Sequence, residues 1–144
     1  MRVAVDTSVL LDVLGGDAVF GKASREALRR AYDGGPLCAC EVVWAEVRAS
    51  FEAEEPFREA MDGLGLEFLA TTGASAALAG AHWRRYHHNR AREGPGATRR
   101  AGGDRRVVAD FLVGAHAKLQ ADGLLARDRG FFRGYFKDLR LIEP

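Results

Sequence analysis

Long apolar runs are missing from this chain. No stretch of its 144 residues approaches the roughly 20 consecutive apolar residues that a membrane-spanning helix needs, so no membrane association is expected. Cysteine is scarce: only Cys38 and Cys40 occur, and the spacing Cys38-Ala39-Cys40 suits neither a zinc site nor a thioredoxin-type pair. Two reduced core cysteines in a cytoplasmic protein are the expectation. An excess of charge of either sign is missing too. Lys and Arg number 21 against 20 Asp and Glu, a net charge of +1, so no global field signals a polyanionic partner. The chain opens without the apolar segment of a signal peptide, because Asp6 and Asp12 interrupt it. There is no internal repeat and no separable second part. With 47% apolar and 28% charged residues, positions 1–144 are expected to form one soluble globular domain.

What is present is acid in apolar places. Asp6 ends Val3-Ala4-Val5, and Glu46 interrupts Val42-Val43-Trp44-Ala45. Asp110 opens Phe111-Leu112-Val113, and Asp128 follows Leu124-Leu125-Ala126. A buried, unpaired carboxylate is strongly disfavoured, so it takes up a proton or finds a cation. Packed together, these groups repel one another unless a hard divalent metal lies between them. Oxygen-only ligands with water completing the shell suit Mg²⁺ or Mn²⁺.

Periodicity and punctuation predict strands at Arg2–Val5, Leu37–Cys40, Leu66–Ala70, Leu124–Ala126 and Leu139–Ile142. Helices are predicted from Thr7 or Ser8 to Leu14, over Asp17–Tyr32 and Glu41–Glu54, from Pro56 to Gly63, and over Ala74–Arg92 and Val107–Ala121. This alternation argues for an α/β domain with a largely parallel sheet. Asp6 and Asp128 then lie just past the C-terminal ends of strands, the edge where ligands bind in open parallel sheets. Glu46 shares a helical stripe with Val42, Val43 and Ser50, and Asp110 shares one with Val107 and Gly114. Both are therefore expected on the core side of their helices. Singly, each acid reads as a helix cap or an ion-pair partner; together, all in apolar contexts, they read as one site. Asp12 is expected at the surface.

In this order the segments resemble a known family. Val5-Asp6-Thr7-Ser8-Val9-Leu10-Leu11-Asp12 is similar to the opening motif of PIN-domain nucleases, and Glu46 in Val43-Trp44-Ala45-Glu46-Val47 to their helical glutamate. Asp110-Phe111-Leu112-Val113-Gly114-Ala115-His116-Ala117 and Leu124-Leu125-Ala126-Arg127-Asp128 resemble the third and fourth acidic motifs. The tail from Phe131 to Phe136, then Leu139 to Ile142, is similar to the VapC toxins of bacterial toxin–antitoxin pairs. The resemblance implies a three-layer α/β/α sandwich around a mostly parallel sheet. It further implies a Mg²⁺-dependent endoribonuclease, with Mn²⁺ as an alternative ion, that cuts tRNA or ribosomal RNA, forms a homodimer and is held inactive by a cognate antitoxin. One position departs from the pattern: Ala126 stands where a hydroxyl residue is usual, two places before Asp128.

The chemistry agrees with that implication. A divalent ion polarises a phosphate, lowers the pKa of a bound water and stabilises the leaving oxygen. Asp6 and Asp110 are the expected firm ligands, with Glu46 and Asp128 completing the site directly or through water. Thr7 or Ser8 orients a carboxylate or phosphate oxygen, or simply caps a helix. Basic residues cluster after Trp83, as Arg84, Arg85, Arg90, Arg92, Arg99, Arg100, Arg105 and Arg106, interleaved with His82, Tyr86, His87 and His88. Arginines suit phosphate contacts and aromatics carry unpaired bases, so Arg84, Arg85, Arg99, Arg100, Arg105 and Arg106 are candidate RNA contacts; a solvated helix face is the plain alternative. The histidines lack metal-ligand spacing. Gly16 to Ala23 nearly matches a nucleotide-binding P-loop, but a helix precedes it and Ala23 has no hydroxyl for Mg²⁺. Leu10, Leu11, Leu14, Phe20 and Phe51 exceed what a small core needs, and by resemblance form a dimer surface or an antitoxin groove. The competing readings are a non-enzymatic RNA- or partner-binding domain, and a housekeeping nuclease without an antitoxin.

Overall fold

The computed structural model describes residues 1–92 and 103–144, and the side chains of all of these but 103–107. Five short strands, β1 (Val3–Val5), β2 (Leu37–Ala39), β3 (Leu66–Phe68), β4 (Gly123–Leu125) and β5 (Leu141–Ile142), form one sheet in the order β3-β2-β1-β4-β5. Every pairing is parallel. Strands β1, β2 and β4 are buried at each position, as uninterrupted apolar runs must be in a sheet covered on both faces.

Between the strands run α1 (Thr7–Leu14), α2 (Gly21–Gly34), α3 (Glu41–Arg48), α4 (Glu54–Gly63), α5 (Gly73–Arg92), α6 (Gly103–Gln120) and α7 (Phe131–Tyr135). The chain steps from β1 through β2 to β3, then returns past β1 to lay down β4 and β5 on its other side. Parallel crossovers in these two opposite directions place helices on both faces. The result is the expected three-layer α/β/α sandwich. Its strand order reverses between β1 and β4, and such a switch point opens a crevice at the C-terminal edge of the sheet.

Several boundaries differ from the predicted ones, each for a local reason. Helix α2 starts at Gly21, not Asp17, because the Asp17 carboxylate accepts the N–H groups of Val19 (2.9 Å) and Phe20 (2.7 Å) in a turn. Helix α3 stops at Arg48 rather than Glu54. There the Ser50 hydroxyl donates to the Val47 carbonyl at 2.7 Å, and the Arg48 guanidinium to that of Phe51 at 2.9 Å, satisfying carbonyls at the helix end. Helix α4 starts two residues before Pro56, which occupies its first turn, where a missing N–H costs nothing. The one-turn helix α7 had no periodic signal. It follows Gly130, whose φ of 101° favours glycine.

Cys38 and Cys40 are both free and buried, as expected, and burial pushes the Cys38 thiol up to about 11. An aromatic cluster joins the last three helices. The Phe111 ring lies 4.9 Å from that of Phe131 and 5.0 Å from that of Tyr135, and Tyr86 of α5 meets Phe111 at 5.9 Å. Helix α6 comes closest to this cluster at Gly114, where a Cβ would overlap the Phe136 ring. Phe136 is 1% exposed, and a cavity of about 170 Å³ adjoins it. Helix propensity favours Gly114→Ala by about 1 kcal/mol, while overpacking a core costs typically 1–3 kcal/mol. The expected outcome is a net destabilisation of up to about 2 kcal/mol in urea unfolding; a gain in stability would mean that Phe136 relocates freely.

Candidate active site

Asp6 and Asp128 leave neighbouring strands on the same edge of the sheet. Val5 pairs with Leu125 at the end of the β1–β4 ladder, and the Asp6 N–H continues it, donating to the Leu125 carbonyl at 2.9 Å. Two residues beyond Ala126, Asp128 follows on the adjoining chain. Both carboxylates therefore sit at the switch point. Asp6 occupies the N-cap position of α1 but makes no side-chain cap bond; instead the Ser8 hydroxyl donates to its Oδ2 at 2.7 Å. Burial raises the pKa of Asp6 above the ordinary carboxylate value. The Ser8 hydroxyl, the backbone N–H groups of Thr7 and Ser8 and the charge of Arg127 pull the other way and do not fully compensate.

The remaining acids approach from helices. Thr7 is buried, and its hydroxyl donates to Glu46 Oε1 at 3.3 Å, which joins the start of α1 to α3. Glu46 is itself exposed, contrary to the expectation that it faces the core. A glutamate is long enough to extend from an outward helical position to the sheet edge. Asp110 is half-buried on α6, beside Phe111, whose ring packs on Phe131 just past Asp128. Asp128 accepts the N–H groups of Phe132 at 3.1 Å and Arg133 at 3.2 Å, and so caps α7. Ala126 is fully buried, and its N–H donates to the Ile142 carbonyl at 3.1 Å.

Among the described residues no three His, Cys, Asp or Glu side chains are arranged as ligands of one ion. The carboxylates of Asp6, Glu46 and Asp128 are turned toward protein donors. His116 takes no part: it is buried, its Nε2 pairs with the Leu69 carbonyl at 2.8 Å, and burial lowers its pKa.

The expectation for Asp12 is overturned. Asp12 is 3% exposed and forms a two-pronged ion pair with Arg127, Nε to Oδ2 at 2.7 Å and Nη2 to Oδ1 at 3.0 Å. The buried Ser24 hydroxyl donates to the same Oδ2 at 2.7 Å, and the guanidinium lies 4.1 Å from the centre of the Phe20 ring. This cluster ties α1 and α2 to the turn that carries Asp128. The signal was available, since Asp12 interrupts Val9 to Leu14 much as Glu46 interrupts its own apolar run. Leu10 is likewise core, at 0% exposure, whereas Leu11 and Phe20 are exposed.

Arg84 and Arg85 are both exposed on α5. Arg99 and Arg100, and the side chains of Arg105 and Arg106, lie outside the described residues.

Removing one partner of a buried ion pair strands the other charge, which costs about 3–5 kcal/mol. Arg127→Ala should therefore lower unfolding stability by about 3 kcal/mol, and Arg127→Lys should rescue it only in part, because an ammonium cannot reproduce the fork. Chemical denaturation checks both; a loss under about 0.5 kcal/mol for Arg127→Ala would mean that water reaches Asp12 readily.

Comparison with known proteins agrees with this geometry. Residues 3–137 match the PIN domain family. Comparison with curated proteins gives no match. Among solved structures, the chain is similar to one of VapBC2 from Rickettsia felis bound to a DNA fragment from their promoter, with TM-score 0.68 and 15% identity over 99% of this chain and 98% of that one. It is similar to a structure of VapBC-1 from nontypeable Haemophilus influenzae, with TM-score 0.62 and 14% identity over 99% and 98%. It is also similar to VapC20 of Mycobacterium tuberculosis, a sarcin–ricin loop cleaving toxin, with TM-score 0.52 and 14% identity over 92% and 93%. At such identities the solved structures speak for the fold alone. The family match covers most of the chain, and the chain belongs to the PIN domain family.

Proposed function

We propose that this protein is a metal-dependent endoribonuclease that hydrolyses RNA phosphodiester bonds, and that it is the toxin of a toxin–antitoxin pair acting on tRNA or ribosomal RNA. The observation that carries the nuclease reading is that Asp6 and Asp128 follow the neighbouring strands β1 and β4 at the switch point, with Asp6 destabilised by burial. A cation relieves such a carboxylate. The oxygen-only donor set fits a hard ion: Asp6 and Asp110 would hold Mg²⁺ or Mn²⁺, and Glu46 and Asp128 would complete the shell directly or through water. When bound, the ion supplies polarisation of the scissile phosphate and a lowered pKa for the attacking water. The chain's own groups keep the donors in place. Ser8 orients Asp6, Thr7 orients Glu46, and the amides of Phe132 and Arg133 fix Asp128.

Purified protein is expected to cut structured RNA with Mg²⁺ or Mn²⁺, to leave 5′-phosphate ends and to stop in EDTA. Asp6→Asn and Asp110→Asn should each reduce the rate by about 10²-fold or more, since the ion is worth several kcal/mol. Their circular dichroism should remain that of the parent. Full activity in EDTA would refute the mechanism.

The toxin reading draws support from the likeness to VapBC complexes and to a sarcin–ricin loop cleaving toxin. A groove of about 270 Å³ is lined by Val13, Leu28, Tyr32 and Leu64 with Arg25 and Arg29, and Leu11, Val19 and Phe20 are exposed apolar side chains on or near the same helices, α1 and α2. We assign this region to an antitoxin's amphipathic segment and to the homodimer contact. Among the described residues no helix is long and apolar enough to cross a membrane. Expressed alone in its own host, the chain should arrest growth, with relief by the product of the neighbouring upstream gene and by Asp6→Asn. Unimpaired growth without the partner would favour a nuclease that needs no antitoxin.

A further inference from the structure

A second concavity has none of the four carboxylates in its lining. It is an open cleft of about 830 Å³, bounded by Arg84, Arg85, His88 and Asn89 of α5 and by Tyr135 and Lys137 at and after α7. Among the described residues three cations line it and no acid does, in a chain whose net charge is only +1. The positive charge is therefore local, which concentrates a polyanion at this place. The volume is that of a site for a drug-sized molecule and far exceeds what one phosphate fills.

The walls add specificity to the charge. Arg85 is held by a hydrogen bond of 2.8 Å to His82 Nδ1, and the His82 ring packs 4.7 Å from that of Phe136. Part of the cost of ordering this arginine is thus met before any ligand arrives. Tyr135 offers a ring on which an unpaired base stacks, and Asn89 and His88, both exposed, offer hydrogen-bonding groups. The cleft also adjoins the acidic edge. The Tyr135 ring packs at 5.0 Å on Phe111, the neighbour of Asp110, and α7 begins under the cap of Asp128.

We propose that this cleft holds a single-stranded RNA segment flanking the scissile bond, with its phosphates on Arg84, Arg85 and Lys137 and an unpaired base against Tyr135. The inference rests on the nuclease reading above, because it is that reading which makes the polyanion RNA.

The experiment uses the full chain carrying Asp6→Asn, so that bound RNA survives, and a fluorescently labelled single-stranded RNA titrated across a range of salt. Arg84→Glu with Lys137→Glu should weaken binding by about tenfold or more and reduce the salt slope by about 1.4, for two single-strand phosphate contacts at about 0.7 each. Lys22→Glu with Arg30→Glu, exposed residues of α2 that line no part of the cleft, changes net charge equally and should leave affinity within about twofold. All four residues are exposed, so the fold should tolerate both pairs. In the catalytically competent chain, the cleft pair should raise KM for a long RNA. Unaltered affinity and slope in the cleft pair, or equal losses in both pairs, would overturn the proposal while leaving the nuclease intact. Equal affinity for a duplex would overturn the single-strand assignment. Should the parent cut no RNA with either metal, the nuclease reading fails, and the binding comparison still decides the cleft.

Discussion

Asp12 carries a full charge at 3% exposure, and the cation that balances it is Arg127, 115 positions further along the chain. Asp12 is buried while Arg127 is half-buried, so loss of the arginine strands a buried carboxylate, and the pair constrains what is attached to its ends. One end is α1, whose first residues follow Asp6 directly. The other is the turn that delivers Asp128. Ser24 adds α2 to the same carboxylate, and Phe20 covers the guanidinium, which limits access of water and strengthens the attraction. The acidic edge takes its shape from this contact together with the β1–β4 ladder.

Around that frame the site carboxylates are supported unequally. Asp6 is desolvated and incompletely compensated, Glu46 is exposed and accepts from the Thr7 hydroxyl, and Asp128 is held by two backbone amides. The amides of α7 bear on Ala126 as well. Where the family pattern places a hydroxyl, this chain has a methyl group packed at 0% exposure. Asp128 takes its orientation instead from the helix that follows it. Rigid backbone donors supply a direction that a side-chain hydroxyl supplies elsewhere.

Much of this was legible from apolar patterning. The runs Val3-Ala4-Val5 and Leu124-Leu125 announced central strands, and the acids that end or follow such runs marked the ligand-binding edge. Other features were not legible, for identifiable reasons. The partner of Asp12 is remote in sequence, so a local reading assigned that residue to the surface. Glu46 lies on an apolar stripe by spacing, yet its length lets it be exposed and still reach Thr7. Helix α7 is too short for periodicity and depends on Gly130 and on the carboxylate of Asp128. The cleft between α5 and Lys137 joins residues about 50 positions apart, a distance that only crossover topology closes. Arg84 and Arg85 were visible as charge, but the opposite wall was not.

The return of the chain past β1 also governs when the protein can exist in finished form during its own synthesis. Strand β1 leaves the ribosome early, but its partner β4 and the counter-charge for Asp12 come more than a hundred residues later. Until then one edge of β1 is unpaired, Asp12 has no cation, and Asp6 lacks its neighbour across the switch point. Such non-local pairing is slow to form and cannot be anticipated by local structure. A truncated or stalled nascent chain therefore lacks the partners that complete this edge. The acidic edge is complete only once β4 and the turn that carries Asp128 have been made.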